Sequence, residues 1–239
     1  MPILLENGVN VFPLITHVIF DMDGLILNTE DLYTTAFQNI VSKYGKEYKW
    51  DLKVKLMGQN SNETADAIIS TLNLPLSREQ FLEESKKQFD ILFPDSKVLP
   101  GAHKLIQHLH KNSVPLALAT SSSKEDYELK VNKHHKPLFS LFTIKTFGSS
   151  DPDVRNGKPS PDIFLVTIKR FPEQTSPEKC LVFEDSVNGV KAARAGGMQV
   201  VMVPDPRVDE SSKAEATLVL NSLEDFQPEL FGLPPFDAS

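Results

Sequence analysis

The sequence predicts an α/β protein, a doubly wound parallel sheet with a helical unit inserted into it. Three observations carry this expectation. Short apolar runs rich in β-branched and aromatic residues recur along the chain, helical patterns separate most of them, and one interval is far too long for a single crossover. The runs are Thr16–Phe20 (THVIF), Leu116–Ala119, Thr143–Phe147, Cys180–Phe183 and Gln199–Val203. Most are continuously apolar rather than alternating, as strands covered on both faces are. Helical patterns occupy Ala102–Lys111, Lys124–Lys133, Pro161–Arg170 and Asn188–Ala195. Strand and helix in alternation at this spacing give βαβ units. Gly196-Gly197 supplies a helix stop before the QVVMV strand. Beyond Pro204 the chain is punctuated by proline, which predicts loops and one last short strand over Thr217–Leu220.

The interval from Phe20 to Leu116 is many times the dozen or so residues a crossover needs. It reads as helices over Glu30–Tyr44, Asp51–Leu56, Asn62–Leu72 and Ser77–Phe93. Ser61 and Ser77 are candidate N-caps, and Glu79 and Glu84 lie in or near first turns, where carboxylates are favoured. The expected organisation is a helical domain over 31–96 inserted into an α/β domain made of 1–30 and 97–239. Its connections fall near Leu27–Glu30 and Lys97–Gly101, where Pro100-Gly101 breaks the chain direction. The alternative is that these helices cover one face of the sheet.

A chain of 239 residues, 40% hydrophobic and 24% charged, has the composition of a globular protein with one sizeable core. Lys and Arg number 25 against 32 Asp and Glu, a net charge of −7. With no basic run, this argues against a nucleic-acid polymer as partner. The single cysteine, Cys180, excludes an internal disulfide and a cysteine-built zinc site, and suits a reducing compartment. The first fifteen residues lack a basic start and are interrupted by Glu6, unlike a secretory signal. No stretch approaches the ~20 apolar residues of a membrane span. A cytoplasmic protein without a membrane partner is expected, a monomer with a homodimer as the alternative.

Four groups could carry chemistry, and each has a bland reading. Asp21-Met22-Asp23-Gly24 directly follows the first strand, where open α/β sheets place ligands. Its carboxylates can serve as nucleophile and acid/base pair or help hold a divalent cation, or they can simply cap a turn. Thr120-Ser121-Ser122 offers hydroxyls and backbone N–H groups for an anion, or an ordinary N-cap. Lys158, in Gly157-Lys158-Pro159, could be a solvated surface lysine. Glu184-Asp185 follows another strand and could again be a cap. Four such groups at one edge of one sheet are much less expected by accident than any one alone. Together they are the equipment of phosphoryl transfer.

In their order, FDMDG, LATSS, GKPSPDIF and VFEDSVNGVKAARAG resemble the four signatures of the haloacid-dehalogenase-like hydrolases. The match runs from about Thr16 to Pro234, and the long helical interval resembles that superfamily's type-1 cap over a Rossmann-like core. Within it, the chain is similar to the pseudouridine-5′-phosphatases and the related glycerol-phosphate phosphatases. The resemblance implies a Mg²⁺-dependent phosphomonoesterase working through an aspartyl phosphate on a small phosphorylated metabolite. Pseudouridine 5′-phosphate is the expected substrate, glycerol phosphate or a sugar phosphate the alternative, and phosphomutase activity the less favoured reading. It implies Asp21 as nucleophile and Asp23 as general acid/base, with a raised pKa. It also implies Lys158 as balancing charge and Thr120 and Ser121 as phosphate ligands. Asp21, Asp23 (through its main-chain carbonyl) and Asp185 would hold the metal, with Glu184 either a ligand or just outside the coordination sphere. Gly58, Gln59 and Asn60 in the cap would face the substrate.

The chain departs from the family pattern in three places. Asn28 stands where many members carry aspartate, Gly58-Gln59-Asn60-Ser61 lacks a basic residue after the glycine, and the loop Phe147–Val154 is one residue longer. Asp151 or Asp153 is then the family's acidic position in that loop. Weaker candidates resolve to structure: His134 and His135 as a solvated helix end, Tyr48 and Trp50 as packing within the cap, and Cys180 as an inert core thiol.

Overall fold

The computed structural model describes residues 3–4 and 10–237. Much of the N-terminal stretch weighed above as a signal, Glu6 included, therefore lies outside the described residues. The core is a six-stranded sheet of β3 (His17–Phe20), β4 (Leu116–Thr120), β5 (Ile144–Phe147), β6 (Cys180–Glu184), β7 (Gln199–Met202) and β8 (Leu218–Val219). All neighbours are parallel and the order is β5-β4-β3-β6-β7-β8. A separate antiparallel pair, β1 (Ile3–Leu4) and β2 (Asn10–Val11), was not expected.

The chain order reverses between β3 and β6, so the crevice beyond their carboxyl ends is the switch point at which open sheets bind ligands. Phe20 pairs with Phe183 across that junction and with Leu118 on the other side, so β6 runs one residue and β4 two residues past the end of β3. Every residue of β3, β4, β6 and β7 is buried, the physical reason their apolar runs are continuous. Successive side chains alternate between two cores. Val18, Phe20, Leu118 and Phe183 face one, with Leu105, Ile106 and Leu109 of α5 (Ala102–Lys111). Ile19, Ala117, Ala119 and Val182 face the other, with α8 (Asp162–Lys169) and α9 (Val187–Ala195).

Helices α1 (Glu30–Ser42), α2 (Trp50–Leu56), α3 (Ser61–Leu72) and α4 (Arg78–Leu92) lie between β3 and β4. They surround a third core, with Phe37, Ile40, Ile68, Phe81 and Phe93 inside. The segments leading in and out run side by side: Asn28 N–H donates to Lys97 O at 2.8 Å and Leu99 N–H to Ile26 O at 2.8 Å. Asn28 is exposed there.

Several local expectations change. Asn60, not Ser61, caps α3, its side-chain oxygen accepting Glu63 N–H at 2.9 Å. Ser77 caps α4 as expected, in a reciprocal pair with Gln80. The helix read over Lys124–Lys133 stops earlier, as α6 (Lys124–Val131), because Pro137 starts a separate turn, α7 (Lys136–Phe139). His135 Nε2 then lies 2.8 Å from Ser96 O at the returning connection, so it is not a free helix end. His134 remains exposed. Tyr48 packs in the helical core, but Trp50 packs against the sheet-side core, and the Arg207 guanidinium lies 4.0 Å from its ring centroid. Cys180 is buried, which pushes its thiol up to about 11 and leaves it inert.

Candidate active site

Asp21 is the first residue past β3, its N–H donating to Phe183 O at 3.0 Å. Its side chain is buried, and Oδ1 accepts from Lys158 Nζ at 2.6 Å. The same ammonium donates to Glu184 Oε1, also at 2.6 Å. Burial alone lowers a lysine's pKa, but Asp21 and Glu184 more than reverse that and hold Lys158 charged above its ordinary range. Glu184, at the end of β6, spends its other oxygen on the backbone N–H groups of Asp185 and Ser186 and on the Ser186 hydroxyl, each at 3.1 Å. Both of its oxygens are thus committed to protein donors. It anchors Lys158 and the loop carrying Asp185.

Asp185 is buried and accepts no hydrogen bond from the described residues. Oxygens of Asp21, Glu184 and Asp185 lie within 4.8 Å of one another, the one such cluster of potential metal ligands among the described residues. Burial and the neighbouring carboxylates raise Asp185 well above the usual carboxylate range, and burial pushes Asp21 up to about 8. Three buried carboxylates against one ammonium leave negative charge that a divalent cation would compensate, and all-oxygen donors suit a hard cation. Gly24 belongs to this arrangement: its φ is +80°, and a Cβ there would come within 2.2 Å of Asp185 Oδ2.

Asp23 differs from expectation. Its Oδ1 accepts from Lys130 Nζ at 2.6 Å and Thr29 Oγ1 at 2.7 Å, its Oδ2 from Ser122 Oγ at 2.8 Å and Thr120 Oγ1 at 3.0 Å. Burial would raise its pKa, but Lys130 and these hydroxyls outweigh burial and hold it below the usual range. Thr120 is therefore hydrogen-bonded to Asp23. Lys130, Thr29 and the cavity's aromatic wall are the parts that sequence reading missed; for Lys130 only the pull of a buried carboxylate marks it out, and no sequence pattern does.

A cavity runs from this floor up into the helices. Asp21, Asp23, Ser121 and Asp185 line it from the ends of the sheet, and Tyr33, Phe37, Tyr48, Gly58, Gln59, Phe81 and Phe89 line it from the segment between β3 and β4. The 57–60 loop is docked on the sheet's loops. Ser121 Oγ donates to Gly58 O at 2.7 Å, and Asn188 Nδ2 to Met57 O at 2.8 Å. Gly58 has φ +80°, and a Cβ there would lie 2.4 Å from Ser186 Oγ. Lys158, Thr120 and Glu184 sit beneath the floor rather than on it, and Asn60 is spent on capping. Asp151 and Asp153 do not join the acidic cluster, because both are engaged by Arg170.

Residues 18–203 match the family model described as haloacid dehalogenase-like hydrolase. The chain is 50% identical to a Drosophila melanogaster protein named "Probable pseudouridine-5′-phosphatase", over 93% of this chain and 96% of that one. It is 46% identical to "(DL)-glycerol-3-phosphatase 2" of Arabidopsis thaliana, over 94% of each. A crystal structure of β-phosphoglucomutase from Clostridium difficile superposes with a TM-score of 0.74 at 23% identity, covering 90% of this chain and 95% of that one, a likeness of fold. With the motifs assembled at the switch point of the sheet and the family match spanning most of its length, the chain belongs to the haloacid dehalogenase-like hydrolases.

Proposed function

We propose that the protein is a Mg²⁺-dependent phosphomonoesterase that hydrolyses a small phosphorylated metabolite through an aspartyl phosphate on Asp21. The observation that carries this reading is the convergence of Asp21 and Asp185 on one cavity floor with Lys158 directly beneath. The Asp21 oxygen not bonded to Lys158 attacks phosphorus, the ester P–O bond breaks, and the leaving oxygen takes a proton from Asp23. Water then attacks the same phosphorus, the bond to Asp21 breaks, and the water's proton passes to Asp23. The donors around Asp23 favour its base form, which the second step uses; the first step uses the acid form, which the same donors disfavour. Lys158 keeps two anions from repelling one another at the point of attack. Asp21, Asp185 and the Asp23 carbonyl would hold Mg²⁺, which when bound supplies positive charge to the phosphoryl oxygens. Ser121 lines the floor where those oxygens would lie.

The helices over 31–96 act as a cap on a core made of 1–30 and 97–239. The docked 57–60 loop supports this, as does a cavity lined from both sides. The cap excludes bulk water and selects the leaving group. Pseudouridine 5′-phosphate is the favoured substrate. The Drosophila relative's name supports it, and so does an aromatic cavity wall that includes Tyr33, apolar surface of the kind a planar base packs on. Glycerol phosphate, acted on by the Arabidopsis relative according to its name, is the alternative. No described helix is long and apolar enough to cross a membrane. A single, buried thiol and a metabolite substrate fit the cytoplasm, and the reading is of a monomer.

A panel of phosphate esters ranked by kcat/KM, with and without Mg²⁺, tests the proposal. Pseudouridine 5′-phosphate should rank first with free phosphate released stoichiometrically. Equal use of glycerol phosphate would overturn the substrate, and an isomeric phosphate without release would point to a mutase.

A further inference from the structure

Lys130 lies in α6, outside every motif that leads to the site, and its side chain is fully buried. Removing an ammonium group from water is costly unless its donors find partners. All three do here: Nζ donates to Asp23 Oδ1 at 2.6 Å, Tyr33 Oη at 2.8 Å and Ser122 Oγ at 2.8 Å. The ring of Phe93 also lies against it, with its centroid 4.5 Å from Nζ. With its hydrogens committed, the ammonium has none left for a substrate phosphate, so its influence on the reaction runs through Asp23. Ser122, its third partner, itself donates to the other oxygen of Asp23 at 2.8 Å. The lysine therefore braces both ends of that carboxylate, one directly and one through a hydroxyl.

We propose that Lys130 is a positioning residue for Asp23, fixing the carboxylate where it can exchange a proton with the leaving oxygen. The inference rests on the reading of Asp23 as the proton donor. It separates from simple structural support through the leaving group. An alkyl ester needs a proton on its departing oxygen, whereas para-nitrophenyl phosphate departs as a stable phenolate and hardly needs one.

The experiment compares kcat/KM, which reports the steps up to ester cleavage, for the best alkyl ester and for para-nitrophenyl phosphate. It uses the wild type, Lys130→Met, Asp23→Asn and the double variant. Lys130→Met should lower the alkyl value by about tenfold to a hundredfold and the aryl value by less than about threefold. In the Asp23→Asn background it should add little to either. Aryl turnover doubles as a check that the site is assembled. If Lys130→Met does not fold, Lys130→Arg, whose planar guanidinium cannot match the three donor directions, is read in the same way. Equal loss on both esters, or no loss, would overturn the inference. Equal loss from Asp23→Asn itself would instead overturn the role of Asp23.

Discussion

The Lys158 ammonium and the Asp21 carboxylate meet at 2.6 Å just beneath the floor of the cavity, though 137 positions separate them in the chain. The lysine reaches Asp21 from the loop before α8 and is held in place by Glu184 from the end of β6, so three elements fix one pair of charges. A buried pair of this kind adds little net stability over apolar packing, but loss of one member is severe, because it strands the other.

Lys158→Met should therefore destabilise the fold by roughly 3–5 kcal/mol and abolish ester hydrolysis. Denaturant unfolding together with steady-state rates measures both. A variant of wild-type stability would show that Asp21 and Glu184 do not depend on the lysine for their charge balance.

Divalent cations should stabilise the protein as well as activate it. Added Mg²⁺ at a hundredfold excess over its Kd should stabilise by about 2.7 kcal/mol, read as a rise in Tm. Chelation should reverse both effects. Asp185→Asn should lose the rise in Tm, while the same substitution at Asp153, which is paired with Arg170 away from the cluster, should keep it. Activity that survives chelation would contradict the proposed metal dependence.

The sheet and three of the groups at its rim were readable because Asp21-Met22-Asp23, Thr120-Ser121-Ser122 and Glu184-Asp185 sit at the ends of strands buried on both faces, and continuous apolar runs advertise such strands; Lys158 was readable only from its place in a loop before a helix. The surroundings of Asp23 were not. Its partners Thr29, Thr120, Ser122 and Lys130 come from three separate stretches, and Lys130 stands 107 positions away in a helix whose composition reads as solvated. The raised pKa expected for Asp23 assumed neighbouring negative charge, whereas the fold supplies an ammonium. Similarly, Asn60 and Ser61 are both good capping residues, and only the actual start of α3 chooses between them. Trp50 packs on the sheet side rather than among the helices because an aromatic residue beginning a helix can pack on either side of it.

Acid should weaken the fold through His17. This residue is buried in β3 with its Nδ1 2.8 Å from Thr16 Oγ1, Phe171 edge-on at 4.6 Å, and no partner for Nε2 among the described residues. Burial lowers its pKa below the ordinary 6.5, with Glu173 opposing weakly. The unfolded chain then binds the proton more readily than the folded one. Stability is thus unaffected well above pH 6.5 and falls as pH drops below it. Tm measured between pH 8 and about 5.5 should decline more steeply in the wild type than in His17→Gln, and parallel curves would count against this.

The claim on which the account turns is that phosphorus passes through a covalent bond to Asp21. Rapid acid quench during turnover, followed by mass spectrometry of the peptide carrying Asp21, tests it directly. The account predicts a phosphorylated Asp21 that appears within one turnover and is absent, along with phosphate release, in Asp21→Asn. Phosphate release by Asp21→Asn at the wild-type rate, with that peptide never modified in the wild type, would contradict it.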